Sequence, residues 1–195
     1  MAEQIHGKIM LGVGGLYTVR ILSAPEGSSA SVGDTVVCRA RGSFKHRDIT
    51  LLAGDNVIIS PTTSADKAKK GEESAEFVID ELCERKNALI RPPLANLDYL
   101  FITMAAASPT PILTTVDKLI CIAEHNKIEP VIVITKCELD QDYANELAEI
   151  YEKSGFTVFK LSALEDIGVE PIDLFIKQNL TAGKTAAFAG ASGIG

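Results

Sequence analysis

Hydrophobic positions along the chain follow two different patterns, and the change between them falls near residue 85. Up to that point, short runs rich in β-branched and aromatic residues are separated by Gly, Pro and Ser turns, which is typical of strands. Five such runs without a helical period predict a small closed barrel of the OB type over residues 1–84. The runs lie at residues 8–11, 16–22, 35–41, 55–60 and 75–80.

Beyond residue 85, apolar runs alternate with segments of helical period. This alternation predicts an α/β domain with a mostly parallel, helix-covered sheet over residues 85–195. The pair Thr110-Pro111 predicts an N-cap and a first-turn proline for the first helix. Strands are predicted at 99–104, 131–135, 157–161 and 184–189, and helices at 112–123, 142–153 and 170–180.

Composition and charge describe the class of protein. The sequence is 46% hydrophobic and 23% charged, as in globular proteins, and no apolar run approaches the roughly 20 residues that span a bilayer. The N-terminus has no signal-peptide pattern, so we expect a cytoplasmic protein without a membrane partner. A net charge of −7 argues against non-specific nucleic-acid binding by the whole chain. The four cysteines are scattered, and we predict neither a disulfide nor a metal site.

One stretch, residues 130–140, combines a buried strand with a polar turn. In open α/β sheets, ligands bind beyond the carboxyl ends of the strands, where Thr135 and Lys136 stand. The turn resembles the guanine-specificity loop Asn/Thr-Lys-x-Asp, in which a carboxylate accepts hydrogen bonds from guanine and the Lys stem lies along the base. Glu138 holds the carboxylate position in place of Asp, and Asp140 follows. An ordinary charged turn that caps the next helix has the same pattern. The candidate base-binding residues are Thr135, Lys136, Cys137 and Glu138.

Two further turns follow predicted strands. The turn at 162–164 matches the second guanine-contacting loop, in which Ser-Ala precedes Leu or Lys. The turn at 190–195 matches the first six residues of the phosphate loop GxxxxGK[ST], whose backbone N–H groups cradle phosphates. A similar Gly-rich string opens short-chain dehydrogenases, so an NAD(P)-dependent reductase is an alternative. The candidate residues are Ser162, Ala163 and Leu164, and Gly190, Ala191, Ser192, Gly193, Ile194 and Gly195.

The order of these motifs differs from that of an ordinary GTPase. There the phosphate loop comes first and the base-binding loops follow, whereas here the phosphate loop comes last. This order predicts a circularly permuted GTPase domain.

A basic stretch, residues 38–47, lies in a predicted barrel connection of the kind that OB folds use to bind oligonucleotides. Its cations would neutralise phosphates, and its aromatic ring would offer a stacking face. The alternative is a solvated loop with the ring tucked into the end of the barrel. The candidate RNA-binding residues are Arg39, Arg41, Phe44, Lys45 and Arg47.

The whole sequence resembles the ribosome-small-subunit-dependent GTPase A family, in which an OB barrel precedes a circularly permuted GTPase domain. The resemblance rests on residues 14–19, 38–44 and 53–57, and above all on ERKNALIRPPLANLD at 84–98. It implies binding of GTP or GDP with Mg²⁺, hydrolysis of GTP stimulated by the small ribosomal subunit, and a role in late maturation of that subunit. It also implies contact between the barrel and ribosomal RNA.

The sequence also departs from the family pattern. The family's phosphate loop continues into Lys-Ser, and its switch regions and zinc-binding domain would follow residue 195. We therefore expect a partial chain, truncated within the phosphate loop, that lacks the family zinc site and is catalytically inactive by itself, with no catalytic residue of its own. We expect a monomer. Glu138 supports an alternative function, an RNA-binding OB module whose degenerate α/β half is a docking scaffold.

Overall fold

The computed structural model describes residues 4–63, 75–181 and 183–194, without the side chains of residues 45 and 46. The chain divides into two compact units, Met1–Asn96 and Leu97–Gly195. Within the described ranges, no helix is long and apolar enough to cross a lipid bilayer.

The first unit contains the predicted five-stranded barrel. The strands close in the order β1-β2-β3-β5-β4, with only β3 and β5 parallel to each other. Alternate residues point inward, and Ile9, Val19, Ile21, Cys38 and Ile79 are almost fully buried. The strands are β1 (Ile5–Val13), β2 (Leu16–Ser23), β3 (Thr35–Ala40), β4 (Asn56–Pro61) and β5 (Phe77–Leu82).

A short helix, α1 (Gly42–His46), follows β3 within the predicted basic loop. Its Phe44 ring belongs to the barrel core, together with Leu51 and the partly buried Ile49. The sequence pattern did not predict this helix, because one aromatic residue among cations has no helical period.

A small hairpin, β6 (Ala88–Leu89) and β7 (Leu94–Ala95), completes the first unit. The side chain of Asn96 donates to the Gly54 carbonyl at 3.0 Å and accepts from the Lys86 N–H at 2.9 Å. At Gly54, φ is +92° and an added Cβ would lie 2.0 Å from the Ala95 oxygen, so this position requires glycine. These contacts connect Ala95 and Asn96 to Gly54, so the first compact unit extends past residue 85, where the sequence pattern began the α/β domain.

The second unit contains a four-stranded sheet in the order β10-β9-β8-β11, with every neighbouring pair parallel. After β10 the chain crosses to the far side of β8. This reversal creates a switch point at the carboxyl ends of the strands, where ligands bind in such sheets. The elements are β8 (Tyr99–Ala105), α2 (Leu113–His125), β9 (Glu129–Thr135), α3 (Gln141–Lys153), β10 (Thr157–Leu161), α4 (Val169–Asn179) and β11 (Ala186–Gly190).

Helix α4 covers one face of this sheet. Ile172 is buried against Phe101, Val131 and Val133, and the Phe175 ring meets Phe101 edge-on at 6.2 Å between centroids. Helix α2 begins later than Thr110-Pro111 predicts, with Ile112 as an N-cap that makes no side-chain hydrogen bond.

Candidate functional site

The turns that follow the strands of the sheet lie at one edge. In the strand register, Thr135 of β9 is level with Ala105 of β8 and with Leu161 of β10. Strand β11 pairs with β8 up to Gly190 opposite Thr103. Because all four strands are parallel, the base loop (residues 135–138), the Ser-Ala loop (residues 162–164) and the Gly-rich turn (residues 190–195) start from the same edge.

The base loop and the Gly-rich turn are in direct contact. The Thr135 hydroxyl donates to the Ile194 carbonyl. The Lys136 ammonium donates to the Gly193 carbonyl at 2.7 Å and to the Ser108 carbonyl at 2.5 Å. The sequence analysis missed Ser108, whose only local signal is the Ser-Pro turn after β8. One lysine therefore joins three segments of the site.

The Gly-rich turn leaves β11 through a position without room for a side chain. A Cβ at Gly190 would lie 2.3 Å from the Thr103 hydroxyl and 2.5 Å from the Thr103 carbonyl oxygen. Ala191, Ser192 and Gly193 are exposed, while Ile194 is buried and fixes the far end of the turn. Gly195 lies outside the described residues. The exposed part can meet a ligand with its backbone N–H groups.

Glu138 carries a polar atom without a partner. Its Oε2 is buried and accepts no hydrogen bond from any described residue. Such an atom costs about 1–3 kcal/mol in an empty site, because it has lost water and gained nothing in return. A ligand with N–H donors would satisfy it, and the ring N–H and exocyclic amine of guanine are donors of this kind.

Asp140, the other carboxylate of the turn, has a structural task. Its Oδ1 accepts from the Tyr143 N–H at 3.0 Å and caps α3. The charged-turn interpretation therefore applies to Asp140, whereas Glu138 makes no such cap.

Cys137 and Ser162 make hydrogen bonds that hold the base loop and the Ser-Ala loop in place. The Cys137 N–H donates to the Leu161 carbonyl at 3.3 Å, and burial raises the pKa of its thiol, which lowers its reactivity. Ser162 is fully buried, and its hydroxyl accepts from the Glu165 N–H at 3.1 Å. Ala163 and Leu164 are exposed at the tip of the loop. The tip of the loop is therefore accessible to a ligand, whereas the serine side chain is not.

Among the described residues, this edge of the sheet has no cluster of metal-binding side chains. No group of three His, Cys, Asp or Glu side chains suited to a metal ion occurs in the described parts of the chain. In the phosphate-loop motif the Mg²⁺-binding hydroxyl follows the lysine, and the match at residues 190–195 includes neither position.

The predicted RNA-binding residues have different surroundings. Arg47 is exposed, Arg39 is partly buried on β3, and Arg41 forms an ion pair with Asp80 at 2.5 Å. Phe44 is only 6% exposed in the barrel core and has no face free for a base, which corrects the expectation for this residue. The side chain of Lys45 lies outside the described part of the structure.

Two family models together match most of the chain. The model of the RsgA GTPase family matches residues 82–195, and the model of the RsgA N-terminal domain matches residues 6–68. The chain belongs to the RsgA GTPase family. Small ribosomal subunit biogenesis GTPases RsgA from Caldanaerobacter subterraneus and Bacillus pumilus are each 34% identical to it, over 99% and 97% of this chain. The chain spans 57% and 58% of the length of these two RsgA proteins.

Two solved structures have the same fold. YjeQ from Thermotoga maritima aligns with a TM-score of 0.74 at 28% identity, over 99% of this chain and 62% of YjeQ. YloQ, a circularly permuted GTPase, aligns with a TM-score of 0.69 at 31% identity, over 100% of this chain and 62% of YloQ. The predictions of an OB-type barrel and a circularly permuted GTPase fold are confirmed.

Proposed function

We propose that this protein binds a guanine nucleotide at the edge formed by the base loop, the Ser-Ala loop and the Gly-rich turn. The observation that carries the proposal is the pair of contacts from Thr135 and Lys136 to the Gly-rich turn, with the unpartnered oxygen of Glu138 beside them. Each loop supplies one kind of group that a nucleotide needs. The arrangement is therefore more specific than any of the three motifs alone.

Each part of the site has one task in this proposal. Glu138 accepts from the N–H groups of guanine, and the methylene stem of Lys136 lies along the ring. The exposed tip at Ala163 offers a backbone N–H to the base oxygen. The exposed N–H groups of residues 191–193 face the phosphates. Adenine lacks the donor pair that satisfies Glu138, so the site discriminates between the two purines.

We further propose that the whole protein hydrolyses GTP and assists late maturation of the small ribosomal subunit. Membership of the RsgA family supports this function. Phosphoryl transfer in GTPases needs a phosphate-loop lysine, Mg²⁺ and a positioned water. The phosphate-loop lysine is not among residues 190–195, and we propose that these 195 residues bind nucleotide without hydrolysing GTP. In this proposal the protein acts as a cytoplasmic monomer whose barrel contacts ribosomal RNA.

A titration of the isotope-labelled chain with GDP and, separately, with ADP tests the nucleotide site. We expect GDP to shift the backbone amide resonances of residues 135–138, 162–164 and 190–194. We expect ADP to shift only the amide resonances of the Gly-rich turn, because ADP has the same diphosphate as GDP but a different base. The resonances of the barrel serve as an internal control for non-specific effects.

The opposite result would favour the second candidate function. Equal shifts with GDP and ADP would contradict selection of guanine, and no shift at the base loop with either nucleotide would favour an RNA-binding barrel with a degenerate α/β scaffold. The replacement of the expected Asp by Glu138 is the observation in favour of that alternative.

A further inference from the structure

We propose that Gly168 is a positioning residue for the guanine site, because it holds the Ser-Ala loop where the Ala163 N–H meets the oxygen on carbon 6 of the base. This inference rests on the proposed function. It assigns recognition of that oxygen to the Ser-Ala loop and recognition of the guanine N–H groups to the base loop. Gly168 was not among the residues that the sequence analysis selected.

The Ser-Ala loop is closed on itself by hydrogen bonds. The Ser162 N–H donates to the Ile167 carbonyl at 2.9 Å, and the Ile167 N–H donates to the Ser162 carbonyl at 3.0 Å. The buried Ser162 hydroxyl accepts from the Glu165 N–H at 3.1 Å. Ser162 and Ile167 therefore form the neck of the loop, and the exposed Ala163 lies at its tip. A displacement of the neck displaces the tip.

Gly168 directly follows the neck and has no room for a side chain. A Cβ at this position would lie 1.8 Å from the Lys160 carbonyl oxygen and 3.0 Å from the Lys160 carbonyl carbon. Both atoms belong to the backbone of β10, so no side-chain rotation can relieve the collision. The φ of Gly168 is +75°, which residues with a Cβ rarely adopt. Only glycine allows the chain to approach β10 so closely here.

This close approach connects the two ends of the loop. Leu161 ends β10, and Ser162 follows it directly. Gly168 is the N-cap of α4, and α4 packs on the sheet through the buried Ile172. With alanine at position 168, the separation from the Lys160 oxygen has to grow from 1.8 Å to at least 3.0 Å. A shift of about 1.2 Å is enough to break a hydrogen bond at the tip of the loop.

The two base-binding loops recognise different groups of guanine in this arrangement. Glu138 accepts from the ring N–H and from the exocyclic amine, whereas the Ala163 N–H donates to the oxygen on carbon 6. Adenine has an amino group in place of that oxygen. A change confined to the Ser-Ala loop should therefore affect recognition of the oxygen and leave recognition of the exocyclic amine intact.

Competition binding with two analogues of GDP tests this inference. In 6-thio-GDP a sulfur, which is a weaker acceptor, replaces the oxygen, and inosine diphosphate lacks only the exocyclic amine. We expect the unmodified chain to prefer GDP over 6-thio-GDP by about 2- to 10-fold, which corresponds to one hydrogen bond. In Gly168→Ala this preference should disappear, and GDP binding should weaken by a similar factor. The preference for GDP over inosine diphosphate should be unchanged.

Gly155→Ala is the matched control. Gly155 follows α3 with a φ of +91°, so alanine meets a similar backbone penalty, but nothing lies within 4 Å of the added Cβ. This variant should keep both preferences. Circular dichroism and the amide resonances of the barrel report whether each variant folds. If Gly168→Ala does not fold, Ser162→Ala loosens the same neck without an added atom, because the Glu165 N–H loses its acceptor. It should also lower the preference for GDP over 6-thio-GDP.

Three outcomes would overturn the role of Gly168 and leave the guanine site in place. The first is an unchanged preference for GDP over 6-thio-GDP in Gly168→Ala, or in Ser162→Ala if that variant replaces it. The second is an equal loss in Gly155→Ala, which would reduce the effect to backbone strain. The third is a parallel loss of the preference over inosine diphosphate, which would indicate general damage to the site. If the unmodified chain does not distinguish GDP from ADP, the proposed function fails, and this inference fails with it.

Discussion

Replacing Arg85 with alanine is expected to lower the free energy of unfolding of the barrel unit by about 3–5 kcal/mol. Asp55 is fully buried, and Arg85 donates to its two carboxylate oxygens at 2.7 and 2.8 Å. The hydrogen bond with Asp55 raises the pKa of Arg85, so the arginine stays charged. The Leu52 N–H also donates to the Asp55 carboxylate, at 2.7 Å. In the variant this hydrogen bond remains, but the buried carboxylate has lost its counter-ion. Urea unfolding followed by circular dichroism measures the loss.

The chain offers a matched control for this prediction. Arg41 and Asp80 form a second Arg–Asp pair in the same unit, but their side chains are 45% and 23% exposed. Water replaces the partner of a solvent-exposed ion, so Arg41→Ala should cost no more than about 1 kcal/mol. Similar losses in the two variants would show that the burial of Asp55 does not determine the cost.

Replacing Glu138 with glutamine is expected to abolish the preference for GDP over ADP and to weaken GDP binding by about 10- to 100-fold. A carboxylate can accept hydrogen bonds from the ring N–H and from the exocyclic amine of guanine at the same time. The glutamine amide has only one acceptor oxygen, and its NH₂ group faces the second donor. A hydrogen bond to a charged group contributes about 1.5–3 kcal/mol, and 1.4 kcal/mol corresponds to a factor of ten in affinity. Fluorescence titration with labelled GDP and ADP measures both quantities.

Two further readouts separate recognition from folding. Glu138→Asp restores the carboxylate of the Asn/Thr-Lys-x-Asp pattern and should keep the preference for GDP. The Gln variant should unfold no more easily than the parent, because Glu138 Oε2 has no partner to lose. A Gln variant that still prefers GDP would mean that Glu138 does not contact the base.

The local pattern of hydrophobic residues was enough to predict most of the fold. The β-branched run at 131–135 and the apolar runs beside it specify strands without reference to the rest of the chain. The alternation of strands with helices then specifies a parallel sheet. The α1 helix was missed because Phe44 is among basic residues, and the barrel core residues that bury its ring are mostly distant in the sequence.

The contacts that build the barrel unit and the candidate site depend on residues that are distant in the sequence. The local pattern around Arg85 does not indicate its buried partner Asp55, and the pattern around Asn96 does not indicate its hydrogen bond to Gly54. The motifs predicted that Lys136 belongs to a base-binding loop. They did not predict its bond to Ser108, since the register of β8 and β9 decides which turns meet.

The position of the guanine ring in the complex with GDP tests the central claim most directly. Intermolecular nuclear Overhauser effects from the ring protons of GDP to the labelled chain would measure it. We predict effects to the side-chain methylenes of Lys136 and to the methyl group of Ala163, together with phosphate-induced shifts at residues 191–193. Ring contacts on any other surface, with the base loop unaffected, would contradict a guanine site at this edge of the sheet.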